Sequence, residues 1–168
     1  MVSSERPDLK IAVLTVSDGV TAGTRQDVSG EIAVQMLSEH LRPATITSLV
    51  VPDDRGEIEQ ALIGWAGEGY TLVVTSGGTG ISPRDNTPQA TLAVVDYQVP
   101  GMAELMRLES LKHTPMAALS RAVVGVRGRT LIVNLPGSPK GVRECLEAIL
   151  PILPHAFEQL VSGAGHGQ

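Results

Sequence analysis

Apolar positions along this chain follow two rhythms that alternate. Lys10–Ser17 (KIAVLTVS) is a short β-branched run of the kind that parallel sheets bury on both faces. Ser29–Leu41 carries Ile32, Val34, Met36, Leu37 and Leu41, a spacing that predicts a helix with Ser29 as its cap. Ala44–Val51 reads as a second strand. Asp54–Ala66 reads as a second helix, with Ile58, Ala61, Leu62 and Trp65 on one face. Thr71–Thr75 is a third strand, and the loop Ser76–Asn86 follows it. Thr87-Pro88 opens a third helix with threonine as cap and proline in the first turn, and Pro100-Gly101 opens a fourth that reaches about Lys112. Ala122–Val126 and Thr130–Asn134 predict two strands around a turn at Gly128. Ser138-Pro139 begins the last helical stretch, which Pro151 and Pro154 must bend or split.

Strands alternating with helices define an α/β protein with a mostly parallel sheet covered on both faces. Right-handed crossovers then gather the strand-to-helix loops at one edge, where open α/β sheets bind ligands. At 168 residues the chain reads as one domain, with a core about 10–160 and a Gly-rich tail, 162–168, expected to fray.

Charge narrows the partners. Thirteen Lys plus Arg against eighteen Asp plus Glu give a net charge of −5, with no basic stripe, which argues against nucleic acid and anionic membrane surfaces. A small anion must therefore be held by local geometry against the overall field. Cys145 is the one cysteine, so neither a disulfide nor a cysteine-rich metal site can form within the chain. Residues 1–8 show no basic-then-apolar leader pattern, and no apolar run approaches the ~20 residues of a membrane span. The expected compartment is the cytoplasm.

Two loops carry the anion chemistry. Thr75-Ser76-Gly77-Gly78-Thr79-Gly80 follows an apolar strand; its glycines let the backbone turn sharply and approach a ligand. Successive N–H groups there can cradle an oxyanion, helped by the hydroxyls of Ser76 and Thr79. The spacing is neither Walker A nor the dinucleotide fingerprint. Asn134-Leu135-Pro136-Gly137-Ser138-Pro139-Lys140-Gly141 is the second loop; Ser138 caps a helix whose first N–H groups face outward, and Lys140 adds a mobile cation. The polar stretch from Ser17-Asp18-Gly19 to Ser29-Gly30 suits either ligand contact or an ordinary surface loop.

Carboxylates add a requirement. Asp85 lies in Ser82-Pro83-Arg84-Asp85, and Asp53 closes the second strand in Val51-Pro52-Asp53. Asp54, with Glu57 three residues on, makes a capping box and leaves Asp53 unused. Each is open to a plainer reading as a cap or as a partner for Arg84 or Arg55. Two ionised carboxylates beside a phosphate cost on the order of 4 kcal/mol per close pair at an effective dielectric near 20. A helix N-terminus returns only ~0.3–1 kcal/mol. A cation must offset the difference, and oxygen ligands beside phosphate point to Mg²⁺.

Taken in order, Thr-Val-Ser-Asp at 15–18, Pro-Asp at 52–53, Thr-Ser-Gly-Gly-Thr-Gly at 75–80, Ser-Pro-Arg-Asp-Asn-Thr-Pro at 82–88, Pro-Gly-Met at 100–102 and Asn-Leu-Pro-Gly-Ser-Pro-Lys-Gly at 134–141 resemble the molybdopterin-binding proteins of molybdenum cofactor biosynthesis, and among them the molybdopterin adenylyltransferase group. The likeness runs from about Lys10 to Leu160. It implies a three-layer α/β fold, a homotrimer, and Mg²⁺-dependent transfer of AMP from ATP to the terminal phosphate of molybdopterin. A product hand-over to a molybdenum insertase goes with it; a non-catalytic binding or carrier paralogue on the same fold is the alternative. The functional aspartates of the family map onto Asp53 and Asp85, as catalytic groups holding Mg²⁺ directly or through water. Nucleotide phosphates are expected over Ser76, Gly77, Gly78, Thr79 and Gly80. Molybdopterin is expected at Ser17 and Asp18 and along the second loop at Asn134, Pro136, Gly137, Ser138 and Lys140. Two departures stand out: Gln89 where the family usually has an acidic residue, and Glu31 where it commonly has proline.

Overall fold

A computed structural model describes residues 8–42 and 44–162. Six strands form one sheet in the order β2-β1-β3-β6-β5-β4: β1 Leu9–Val16, β2 Ala44–Val51, β3 Leu72–Ser76, β4 Tyr97–Gln98, β5 Val124–Arg127 and β6 Thr130–Leu135. Strands β1, β2, β3 and β6 are mutually parallel; β5 is antiparallel to both neighbours, so it alone runs against the sheet. The registers Val16↔Val51, Thr15↔Ser76 and Ser76↔Leu135 bring the C-terminal ends of all four parallel strands level at one edge.

Helices cover both faces, in three layers. On one face α2 (Val28–His40), α5 (Pro100–Leu111), α6 (Pro139–Ile149) and α7 (Leu153–Ser162) pack Leu37, Met106, Leu146 and Phe157 against Ile11, Leu72, Val74 and Val133. On the other, α3 (Arg55–Gly67) and α4 (Thr87–Val94) pack Ile58, Leu62, Ala90 and Val94 against Ala12, Leu14, Val73 and Ile132. Successive strand residues divide between the two clusters, as the two-residue side-chain period requires. Both faces being buried explains why these strands read as unbroken apolar runs. Pro151 and Pro154 split the C-terminal stretch as expected, leaving a 3₁₀ turn at Leu150–Ile152 between α6 and α7. No helix among the described residues is long and apolar enough to cross a membrane. The tail expected to fray lies outside the described residues from 163 on.

Two caps differ from expectation. α2 is capped by Asp27, whose Oδ1 accepts from the Gly30 N–H, while the Ser29 hydroxyl donates to the Gly137 carbonyl. α4 has Asn86 at the cap position with no side-chain bond; Thr87 is its first residue and donates its hydroxyl to the Gly77 carbonyl. In both cases the hydroxyl reaches a glycine loop instead of its own helix end. Asp54 does cap α3, accepting from the Glu57 N–H, but its own N–H goes to Pro52 O, so the box is half formed. A single-turn helix, α1 (Asp18–Thr21), a 3₁₀ turn at Pro115–Leu119 and the two-residue β4 were not expected.

Asn134 requires a correction. Expected in a ligand loop, it lies inside β6 opposite Thr75 and is fully buried. Its amide nitrogen donates to Thr75 Oγ1 and Thr91 Oγ1, and its Oδ1 accepts from the Val123 N–H. With those bonds made inside the core, Asn134 is a structural group. Asn134→Ala leaves the buried Val123 N–H without its side-chain acceptor, at a cost of about 1–3 kcal/mol. A lowered urea midpoint with an unchanged slope is the expected result.

Candidate active site

The two glycine loops predicted to share an edge are in direct contact. Ser76 Oγ donates to Pro136 O at 3.1 Å, and Gly77 N–H donates to Leu135 O at 3.2 Å. Gly77 (φ 102°) and Gly78 (φ 67°) hold left-handed backbone that disfavours side chains, and a Cβ at either would collide, with Val16 O and Thr87 Oγ1 respectively. This geometry withdraws two groups from the expected anion cradle: the Gly77 N–H and the Ser76 hydroxyl proton are already engaged. The N–H groups of Gly78, Thr79 and Gly80 donate to no acceptor among the described residues.

Asp53 and Asp85 flank this turn. A Cβ built on Gly78 would sit 3.4 Å from Asp53 Oδ1, and one on Gly80 would sit 2.9 Å from Asp85 Oδ2. Each carboxylate has one tethered oxygen. Asp53 Oδ2 accepts from the Asp18 N–H at 2.9 Å, and Asp85 Oδ2 accepts from the Ser82 N–H at 3.0 Å. The plainer reading of both aspartates holds in part: each accepts one backbone N–H, as a cap does, but neither pairs with its expected arginine. Arg84 pairs with Asp18 Oδ2 at 2.6 Å, and Arg55 pairs with Glu59. Neither Asp53 nor Asp85 has a cation partner among the described residues.

Asp18 thus plays a supporting role. Its Oδ1 accepts from the Asp53 N–H at 3.0 Å, so the two aspartates clasp each other's backbone. That backbone hydrogen bond, aided by Arg84, lowers the Asp18 carboxyl below the usual range. The Asp53 carboxyl moves the other way: burial raises it first, and the charges of Asp18 and Asp85 add to the rise. Ser17, expected to touch ligand, caps α1 by accepting from the Val20 N–H.

Two cavities open on the turn. A polar one of about 240 Å³ is lined by Ser17, Arg25, Asp53, Ser76–Gly78, Asp85 and Gly137. A mainly apolar one of about 260 Å³ is lined by Thr79 and Gly80 on one side, Pro136, Ser138 and Lys140 on another, and Met106 and Met116 across from them. Expected molybdopterin contacts are therefore divided: Ser17 and Gly137 face the polar cavity, Pro136, Ser138 and Lys140 the apolar one.

Two residues here escaped the sequence reading. Arg25 is exposed, lines the polar cavity and is its only basic residue. Arg121 clamps the turn: its backbone N–H donates to Thr79 O, Nε to Gly80 O at 2.7 Å and Nη2 to Asp85 O at 2.9 Å. Spans of 36 and 41 residues left no local signal for that clamp. Of the two departures noted in the sequence, Glu31 is exposed on α2, and Gln89 on α4 keeps its Oε1 buried without a partner.

A parallel-sheet edge with a glycine turn, unbonded N–H groups and two carboxylates without a cation partner is an α/β geometry suited to phosphate. The chain belongs to the molybdopterin-binding domain family of molybdenum cofactor biosynthesis: the family described as "Probable molybdopterin binding domain" matches residues 12–155. Similar relatives include the molybdopterin adenylyltransferase of Helicobacter pylori J99, 44% identical over 155 residues, or 91% of this chain and 88% of the relative. The molybdopterin adenylyltransferase of Escherichia coli K12 is 41% identical over 84% of this chain and 73% of its own. Among solved structures, the molybdopterin biosynthesis enzyme MoaB of Thermus thermophilus superposes with a TM-score of 0.84 at 53% identity, covering 92% of this chain and 97% of that one. The three-layer fold is shared with these structures.

The electrostatics sets a pH test. A carboxyl raised in the folded state binds its proton before the unfolded chain does, so the Asp53 charge opposes folding above its folded pKa, and acidification relieves that cost. Asp53→Asn keeps an acceptor for the Asp18 N–H and removes the charge. Its thermal midpoint at pH 7 should equal or exceed wild type, with the difference shrinking as pH falls towards 4. A variant markedly less stable at pH 7 contradicts this.

Proposed function

We propose that the chain transfers AMP from ATP to the terminal phosphate of molybdopterin, giving adenylyl-molybdopterin and pyrophosphate. One observation carries the reading: the Ser76–Gly80 turn forms the common wall of a polar cavity with two unpaired carboxylates and an apolar cavity edged by Lys140. A transfer between two phosphates needs them aligned, with their charge neutralised, and little covalent help.

In this reading the nucleotide phosphates lie in the polar cavity and the pterin lies in the apolar one, with its phosphate reaching past Ser138 and Lys140. An oxygen of that phosphate bonds to the α-phosphorus of ATP as the bond to the pyrophosphate oxygen breaks. The N–H groups of Gly78, Thr79 and Gly80 stabilise the transferring phosphoryl oxygens. Arg121 keeps them aimed by holding the carbonyls of Thr79, Gly80 and Asp85 away from the anion. Arg25 adds positive charge beside the leaving group.

The donor set fits Mg²⁺. Asp53 and Asp85 each offer one carboxylate oxygen that accepts no hydrogen bond among the described residues. Mg²⁺ accepts such a site because it keeps several waters and takes its remaining ligands from substrate phosphates. When bound it supplies the positive charge that the phosphate chain requires. Acid pH should weaken this function, because the raised Asp53 carboxyl loses its charge above the range of an ordinary aspartate. No aromatic lies in the two glycine loops, so backbone and aliphatic contacts recognise the adenine. On the resemblance alone we extend the reading to a homotrimer in the cytoplasm that hands its product to a molybdenum insertase.

Single-turnover pyrophosphate release from ATP, with and without molybdopterin and Mg²⁺, is the deciding assay. Release dependent on both, with AMP appearing on the pterin, is expected. Pterin binding without pyrophosphate makes the chain a carrier. Asp85→Ala should lower turnover at least ~10²-fold with an unchanged circular-dichroism spectrum. Near wild-type turnover in that variant removes Asp85 from the mechanism.

A further inference from the structure

The apolar cavity contains one group that phosphate chemistry does not use. Glu144, on α6, lines the cavity and is 7% exposed. Its Oε1 is sequestered from solvent without a hydrogen-bond partner, and the carboxylate makes no ion pair among the described residues. Two neighbouring side chains bond elsewhere: Arg107 Nη1 donates to Ala122 O, and the Ser110 hydroxyl lies 3.6 Å from Cys145 Sγ. A buried acceptor left unpaired is costly, so native proteins keep few of them, and each calls for a partner or a role.

We propose that Glu144 is the specificity-determining acceptor for a 2-amino-4-oxopyrimidine edge on a fused ring seated in this cavity. A carboxylate offers two parallel in-plane acceptors, and its best partner offers two adjacent in-plane N–H donors. The exocyclic amine and the neighbouring ring N–H of a pterin or a guanine have that arrangement. Adenine has an amine beside a ring lone pair, which the second carboxylate oxygen would repel. The terminal carboxylate torsion is soft, so the carboxylate plane can align with the ring and present both oxygens to its edge. Met106, Met116, Ala122 and Pro136 supply apolar walls for the ring faces, and 260 Å³ admits a bicycle. This inference rests on the pterin assignment above and deepens it. The ring is selected at Glu144, on α6, whereas the reacting phosphates meet at Thr79 and Gly80.

The test is equilibrium binding to the full chain, read by the fluorescence of the pteridine itself. 6-Hydroxymethylpterin is compared with 6-hydroxymethyllumazine, which carries a 2-oxo group in place of the 2-amino group, and GMP is added as competitor. Wild type should bind the pterin at least about tenfold tighter than the dione, because a site built for a donor rejects an analogue that lacks it. Glu144→Gln presents an amide in place of the second acceptor and should erase that preference while retaining a cooperative thermal transition. Equal wild-type affinity for the two pteridines, or a preference that survives in Glu144→Gln, overturns the role of Glu144 and leaves the pterin cavity standing. Failure of wild type to bind either pteridine or GMP overturns both. GMP displacing the pterin from wild type with higher affinity, and losing that advantage in Glu144→Gln, supports the edge recognition and identifies guanine as its source.

Discussion

A buried chain of hydrogen bonds beneath the glycine turn holds the rest of the site in place. Asn134 bonds Thr75 and Thr91 in the core, Thr91 Oγ1 donates to Thr87 O, and Thr87 Oγ1 donates to Gly77 O. All four polar residues are fully buried. In low dielectric such bonds are strong when complete and costly when broken, so the network has one arrangement. Gly77 is held through its carbonyl by Thr87 Oγ1 and through its N–H by Leu135 O, and a Cβ added to it would strike Val16 O. The free N–H groups of Gly78 to Gly80 are therefore aimed before any ligand arrives. Pre-organisation of this kind is what a backbone anion site needs, since it has no side chain to adjust.

The same edge carries an electrostatic imbalance that the fold tolerates. Asp18 is neutralised by Arg84, and its backbone clasp with Asp53 ties the end of β1 to the end of β2. Asp53 gains position from the clasp but no ion pair: the Arg84 charge acts on it more weakly than burial and the charges of Asp18 and Asp85. A fold selected for stability alone would pair one of the two with the nearby arginine. That Arg84 turns to Asp18 leaves Asp53 and Asp85 lining the cavity without an ion pair among the described residues. Stability forgone at such a point is the expected mark of a functional site.

Much of this was legible in the chain. β2 matches Ala44–Val51 to the residue because a β-branched run is bounded by proline on both sides. Asp54 was separable from Asp53 by local reasoning, because the capping pattern with Glu57 places Asp54 at the start of α3. The misreadings share a cause. Asn134, Ser29 and Thr87 were assigned to the nearest loop or helix end, yet each bonds a partner on another element. Asn134 looked like the start of a loop only because its register with Thr75 is a property of two strands 59 residues apart. Arg121 and Glu144 were invisible for the same reason. An arginine after a 3₁₀ turn and a glutamate on a helix look like solvated surface until the tertiary fold places one under the turn and the other inside a cavity.

The division of the site follows from the turn itself. Ser76 to Gly78 face the polar cavity, Thr79 and Gly80 face the apolar one, and five residues thus separate two chemically unlike spaces. A side chain at Gly78 would strike Thr87, and one at Gly80 would press on Asp85, so the wall can be only one backbone thick. Two phosphates held on opposite sides of such a wall can approach only over its rim, where the unbonded N–H groups lie. Under the proposed function, the nucleotide phosphates would lie on the side with the carboxylates and Arg25, and the pterin ring on the side with the methionines and Glu144. Ring identity and transfer chemistry would then rest on different elements, Glu144 on α6 and Asp53 and Asp85 in the loops before α3 and α4, which meet only through the glycines.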